Sequence, residues 1–127
     1  MRPPVHVVGL DHIVLISSDV ERSLDFYTRL LGLQGERIDE WARGEVPFPS
    51  VRIDAGTLID IMSGERTGVN LHHLCLRIDQ IDLAGLADGG AFDVVGAPTD
   101  ERYGALGYAR SLYVRDPDRN VIELRCN

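Results

Sequence analysis

Leu10-Asp11-His12-Ile13-Val14-Leu15-Ile16 is a run of aliphatic, largely β-branched residues broken by one acid and one histidine. Gly9 to Ile16 therefore reads as a strand, stopped by Ser17-Ser18-Asp19. Ser18 and Glu21 fit an S-x-x-E capping box, so a helix is expected next. Val20, Leu24, Tyr27 and Leu31 then recur at helical spacing, with Phe26 and Leu30 widening the stripe and Gly32 closing it. The same strand-then-helix order returns 61 residues on. There His73-Leu74-Cys75-Leu76-Arg77 lies in a predicted strand from Asn70 to Ile78, and Asp79 to Ala87 reads as a short helix with Asp79 as its N-cap.

Outward from these anchors the two halves continue alike. In the first, Gln34 to Glu40 is strand-like and Trp41 to Pro49 reads as a loop. Ser50 to Asp54 and Thr57 to Met62 form a hairpin turning at Ala55-Gly56. In the second, Phe92 to Val95 is a short strand and Gly96 to Gly107 a long loop, the kind that carries function. Ala109 to Arg115 is a strand, Asp116 to Asn120 a turn, and Val121 to Arg125 the last strand. Asp60 and Glu123, near the ends of the halves, stand 63 apart. The pattern is a duplicated β-α-β-β-β unit, with modules at about 8–63 and about 69–126 joined by the polar linker Gly64 to Gly68. A period of about sixty residues exceeds solenoid repeats, so a pseudo-twofold pair within a single domain, 1–127, is expected.

Composition narrows the function classes. The net charge of −7 disfavours contact with phosphate backbones, so no nucleic-acid partner is expected. No long apolar run suggests a membrane span and the N-terminus lacks a secretory h-region, so a soluble cytoplasmic protein is expected. Cys75 and Cys126 form no CxxC pair, which excludes a disulfide scaffold and a thiolate zinc finger.

Alternation then sorts the strand faces. His12 and Val14 oppose Ile13 and Leu15; Leu58, Asp60 and Met62 oppose Ile59 and Ile61; His73, Cys75 and Arg77 oppose Leu74, Leu76 and Ile78; Val121, Glu123 and Arg125 oppose Ile122 and Leu124. Each strand offers one aliphatic face to pack under helices. The other carries a histidine or an acid, and a curled sheet would gather these in a cavity. Two imidazoles and a carboxylate with open positions are the donor set of a non-haem metal centre. Asp60 would add a fourth ligand or serve as a base.

Three stretches carry a resemblance. Leu10-Asp11-His12-Ile13-Val14-Leu15, the helix end Leu24-Asp25-Phe26-Tyr27-Thr28-Arg29-Leu30-Leu31-Gly32-Leu33, and above all Arg115-Asp116-Pro117-Asp118-Arg119-Asn120-Val121-Ile122-Glu123-Leu124 resemble the glyoxalase/bleomycin-resistance/dioxygenase family, the vicinal oxygen chelate superfamily. Arg119 is a departure, since many members have Gly there. The resemblance implies an α+β fold of two βαβββ modules whose sheets curl into a cup, with helices on the outer face and a divalent metal (Fe, Mn, Ni, Co or Zn) inside. It maps the ligands onto His12, His73 and Glu123. In glyoxalase-type members a fourth-strand Glu also ligates, and that position is Asp60 here, one methylene shorter. Members often form homodimers.

The resemblance implies glyoxalase-type isomerase or lyase chemistry through a metal-chelated enediolate of a small oxygenated substrate, with Asp60 or Glu123 as base. Its alternatives are an Fe(II) extradiol-type ring-cleaving dioxygenase and a non-enzymatic antibiotic-binding protein. Around the ligands, Tyr113 alternates with Leu112 and Val114 and is expected in the cup, as packing or as a hydrogen-bond donor to a metal-bound oxygen. Arg77 is either a solvated strand-end arginine or a clamp for a substrate carboxylate. Tyr103 and Tyr108 are candidates to close over substrate. His72 is expected on the opposite face from His73 with a structural role, Cys75 to be packing, and Trp41 to be a pocket wall or a dimer contact.

Overall fold

The computed structural model describes residues 2–115 and 119–127. In chain order the elements are β1 (Val7–Ser17), α1 (Val20–Asp25) running on into one wider π turn (Phe26–Leu30), β2 (Gln34–Glu36), α2 (Ile38–Ala42), β3 (Ser50–Asp54), β4 (Thr57–Ser63), β5 (Leu71–Ile78), α3 (Leu83–Asp88), β6 (Asp93–Gly104), β7 (Gly107–Arg115) and β8 (Val121–Cys126). The strands form a single mixed sheet in the order β2-β3-β4-β1-β5-β8-β7-β6, an α+β arrangement. β1 pairs parallel with β4, β5 pairs parallel with β8, and the two pairs meet along an antiparallel seam between β1 and β5.

The register repeats along with the sequence. Val14 stands opposite Asp60 across β1 and β4, and Cys75 opposite Glu123 across β5 and β8. The histidine two residues earlier in each half, His12 or His73, therefore takes the same place relative to its acid.

The aliphatic faces pack as the alternation predicts, in two small cores. Val20 and Leu24 of α1 bury against Val51 and Ile61, with Ile59, Ile38 and Trp41 alongside. Leu83 and Leu86 of α3 bury against Ile78, Leu112, Val114 and Leu124, with Leu76 and Ile122 alongside. Each fully buried aliphatic side chain contributes roughly 1.5–3 kcal/mol, so these clusters hold the helices to one face and leave the other face free. Trp41 is thereby accounted for as a packing residue of the first core.

Four local expectations are corrected. The N-cap of α1 is Asp19, whose carboxylate accepts from Arg22 N at 3.1 Å, rather than Ser18. Strand β1 runs on to Ser17, so the helix begins a residue later. The third helix starts after Asp82 rather than Asp79, because Asp79 is engaged elsewhere, its N–H donating to His6 O at 3.0 Å and its carboxylate meeting His6 Nδ1 at 2.7 Å. The stretch expected as a loop from Trp41 begins inside helix α2, which Ile38 and Trp41 anchor to the core. The expected loop Gly96 to Gly107 is mostly strand: β6 continues to Gly104 and closes on β7 at Gly104 opposite Gly107. Its register slips between Val95 and Thr99 and again between Thr99 and Arg102, and Gly96 and Glu101 have φ of 74° and 50°. Bulges of this kind carry the Gly, Pro and polar residues that imitate a loop in sequence.

Asp116 to Asp118, most of the expected turn before β8, lie outside the described residues. Arg119 has φ 69°. A side chain in this left-handed region costs roughly 1–2 kcal/mol, a cost that glycine does not carry. Arg119→Gly is expected to stabilise the chain by about 0.5–1 kcal/mol, because the more flexible unfolded glycine returns part of the gain. Urea unfolding of the two proteins tests this, and an unchanged or lower midpoint in Arg119→Gly would refute it.

Candidate metal centre

The centre is built by the four inner strands. His12 on β1, Asp60 on β4, His73 on β5 and Glu123 on β8 all face the non-helical side and are buried. Together with Val14, Met62, Phe48, Tyr103, Tyr108 and Tyr113 they line a cavity of about 460 Å³. That volume suits a small molecule.

Glu123 Oε1 lies 3.3 Å from His12 Nε2 and 3.2 Å from His73 Nε2. One donor atom from each of the three residues can be chosen so that all lie within 4.8 Å of one another. Atoms that share an ion at about 2.1 Å must lie within about 4.2 Å of each other, and both Glu123 distances meet that limit. The donor set, neutral nitrogen with one carboxylate, suits Fe, Mn, Co, Ni or Zn. His12, His73 and Glu123 are therefore a candidate donor set for a divalent ion.

Asp60 sits beside this set. Its Oδ1 accepts a hydrogen bond from Ser50 Oγ at 2.5 Å, and its Oδ2 lies 3.8 Å from His12 Nε2. Burial raises its pKa, more than the neighbouring His12 and the Ser50 hydroxyl lower it. Glu123 is driven the other way. Burial works against its charge, but hydrogen bonds from His12, His73 and Ser111 outweigh that and hold it well below the usual carboxylate range. Ser111 Oγ donates to Glu123 Oε2 at 2.6 Å, so Asp60 and Glu123 each have a serine partner.

Behind His12 lies a buried network that the sequence reading did not single out. Asp11 is fully buried and its Oδ1 lies 2.7 Å from His12 Nδ1, which turns Nε2 toward the cavity. Asp11 also accepts from Ala105 N at 2.9 Å and from Arg77 Nη1 at 2.8 Å. Arg125, with no exposed surface, places Nε 3.5 Å from Asp11 and Nη1 3.3 Å from Glu123. It also donates to the carbonyls of Arg102, Tyr103 and Gly107, tying the β6–β7 hairpin to the centre of the sheet. Burial alone would favour a neutral His12, yet its hydrogen bonds to Asp11, Cys75 and Glu123 push its pKa up to about 12.

Two bulges set this geometry. In the β1–β5 ladder Leu10 pairs with Leu76 and His12 with Cys75, leaving Asp11 as an extra residue. Val14 then pairs with His73 and Leu15 with Leu71, leaving His72 as another. Asp11 and His72 are 61 residues apart, equivalent positions of the two halves. The bulge abolishes simple alternation, so His72 lines the cavity instead of facing away, with its Nδ1 2.8 Å from His73 Nδ1. Aligning the halves on their histidines pairs Asp11 with His72 and was the available signal for both.

The remaining candidates divide. Tyr113 stands opposite Glu123 across β7 and β8, lines the cavity, and packs its ring against His73 at 5.6 Å between centroids. Tyr103 and Tyr108 line the rim with their rings 5.8 Å apart. Arg77 lies outside the lining; its guanidinium is committed to Asp11 and to Gly56 O. Burial pushes the Cys75 thiol up to about 12, which keeps it a packing group. Arg37, unmarked in sequence, lines the cavity from the turn before α2. Among the described residues no helix is long and apolar enough to cross a membrane.

Comparison with known proteins places these observations. The model of the Glyoxalase/Bleomycin resistance protein/Dioxygenase superfamily matches residues 9–124, and the chain belongs to that superfamily. The glyoxalase domain-containing protein RDO1 of Mycosarcoma maydis is 33% identical over 93% of this chain and 68% of its own length. The virulence protein STM3117 of Salmonella typhimurium is 26% identical over 91% of this chain and 81% of its own. Among solved structures, methylmalonyl-CoA epimerase from Mycobacterium tuberculosis superposes with a TM-score of 0.65 at 18% identity, covering 99% of this chain and 92% of its own.

Proposed function

We propose that the chain is a metal-dependent enzyme that moves a proton on a small oxygenated substrate, by isomerase, epimerase or lyase chemistry. The observation that carries this reading is Asp60. It is a buried carboxyl beside His12 with one oxygen tied to Ser50 and its pKa raised by burial, a placement that suits a group that takes up and returns a proton. A divalent ion held by His12, His73 and Glu123 would supply Lewis acidity next to a substrate carbonyl. Asp60 would take the proton that this acidity loosens and give it back. Ser50 holds the carboxyl in place, and the phenol of Tyr113, kept protonated by burial and by the Glu123 charge, would donate a hydrogen bond to a substrate oxygen. Val14, Met62 and Phe48 give the cavity an apolar wall that limits water. The fold likeness to an epimerase is consistent with this role.

A second reading has its own support. With Asp60 outside the compact set, two imidazoles and one carboxylate remain, the donor pattern of non-haem Fe(II) oxygenases. Ring cleavage of catechols would follow that pattern.

The test is a pair of assays on metal-loaded protein. Deuterium exchange from D₂O into methylmalonyl-CoA, or into the hemithioacetal of methylglyoxal and glutathione, is followed by NMR. Oxygen uptake with catechol is followed on iron-loaded protein. Asp60→Asn is expected to slow exchange by roughly 10²–10⁴-fold with its metal content unchanged. Oxygen uptake without exchange would move the assignment to the dioxygenase reading. Neither activity would leave the cavity as an antibiotic-binding pocket.

A further inference from the structure

We propose that the substrate carries a carboxylate and that Arg37 is the residue that receives it. The inference rests on the reading of the cavity as a substrate site and names the class of molecule that site takes. Arg37 lines the same cavity as His12, His73 and Glu123. Its guanidinium lies 3.9 Å from the centroid of the Tyr103 ring and 4.9 Å from that of Phe48. Nη2 donates to Phe48 O at 2.8 Å. Nε is buried and has no hydrogen-bond partner among the described residues.

Among the described residues the head has no ion pair either. The adjacent Glu36 is committed to Arg52, and Asp60 to Ser50 and His12. Arg29, Arg43, Arg52, Arg77, Arg110, Arg115 and Arg125 all have acids of their own. A half-buried arginine with a spare donor therefore lines the cavity with no ion pair of its own among the described residues, while the acids that share the lining are Asp60, which feels its charge, Glu123, Glu45 and Glu101. Cations withdrawn from water are ordinarily paired, and a partner that the chain does not supply is left to a ligand.

Backbone geometry supports the same assignment. Arg37 has φ 59°, a left-handed conformation adopted by few residues other than glycine and asparagine. Arg37 stands at a position where a glycine would be free of strain. Local strain of this kind collects where a side chain must be aimed. Two aromatic faces fix the plane of the guanidinium, and a planar fork of donors matches the two oxygens of a carboxylate. Phe48 and Tyr103, which cover the spare donor, themselves line the cavity, so a ligand that displaces either ring reaches it.

The test is calorimetric titration of malonate and succinate, each beside its dimethyl ester, into wild type and Arg37→Met. Each protein is examined metal-free and metal-loaded, with metal content and melting temperature measured on the same samples. Wild type is expected to bind at least one diacid and neither ester. Arg37→Met is expected to bind that diacid at least about tenfold more weakly, a loss of about 1.4 kcal/mol, in both metal states and with metal content unchanged. Arg37→Lys keeps the charge without the planar fork. It is expected to fall between the two, and it carries the comparison if Arg37→Met melts early. Equal binding by wild type and variant, esters bound as tightly as acids, or no diacid bound by wild type would each overturn the proposal. Failure of the metal reading shows separately, as wild type that takes up no metal, and the metal-free comparison still stands.

Discussion

Glu123→Ala is expected to lose the divalent ion that the wild-type chain is expected to bind at about one per chain. Glu123 is the single atom source shared by both histidines, at 3.3 and 3.2 Å. Removing it takes away the only full negative charge in the compact donor set and leaves two imidazoles. Loss of a partner outside the ligands typically costs 10–100-fold in metal affinity, so loss of the carboxylate ligand itself should exceed about 100-fold. Titration with Zn or Co and elemental analysis of untagged protein read this directly. The same titrations carry a pH signature. His12 is pushed up to about 12 by its hydrogen bonds to Asp11, Cys75 and Glu123, so its imidazole bears a proton at neutral pH when no ion is bound. An ion must displace that proton. Affinity is therefore expected to rise with pH, by about tenfold per unit for each proton released. Affinity that is flat between about pH 6 and pH 8 would contradict the raised His12 pKa, and affinity retained in Glu123→Ala would contradict the His12–His73–Glu123 assignment.

Asp11→Ala is the second change with a large expected effect, and it acts on stability before it acts on the site. Asp11 receives His12, Arg77 and Ala105 N and lies 3.5 Å from Arg125, all in the interior. Without it, Arg125 keeps only Glu123 as a nearby acid among the described residues and Ala105 N loses its acceptor. Breaking a buried ion pair from one side costs about 3–5 kcal/mol, a large share of the roughly 5–15 kcal/mol that holds a domain folded. Urea unfolding should show a loss in that range, and His12 should lose affinity for the ion as its ring is freed. A loss under about 1 kcal/mol would show that Arg77 and Arg125 are satisfied by solvent or by Glu123.

How much of this was readable in sequence depends on which geometric rule a residue obeys. His12, Asp60, His73, Tyr113 and Glu123 follow the two-residue alternation of a regular strand, so their common face was legible. The repeat of 61 residues between histidines was legible too, and the register of Val14 with Asp60 and Cys75 with Glu123 reproduces it. Asp11 and His72 break the alternation because each occupies a bulge, and a bulge leaves no mark in a lone sequence beyond the repeat itself. Arg77 alternates correctly with His73, yet its long side chain is taken up by Asp11 and Gly56 O, a partnership that only the folded chain reveals. Arg37 is placed by a left-handed turn and a five-residue helix, and nothing in its neighbours announced either. The start of α1 is set by Asp19, one residue past Ser18, and that of α3 shifts because Asp79 is tied to His6, a contact distant in sequence.

The open sheet leaves β2 and β6 as its two outermost strands. β2 offers only three residues, and β6 carries Pro98, two register slips and the acids Asp93, Asp100 and Glu101. A flat, unbroken edge would template hydrogen bonding by a second molecule along its whole length. Here one edge is too short and the other too irregular and too negative to be copied. The features that disguised β6 as a loop thus also guard the chain against edge-to-edge polymerisation, and they let an eight-stranded sheet stay open around its cavity without becoming a seed for fibres.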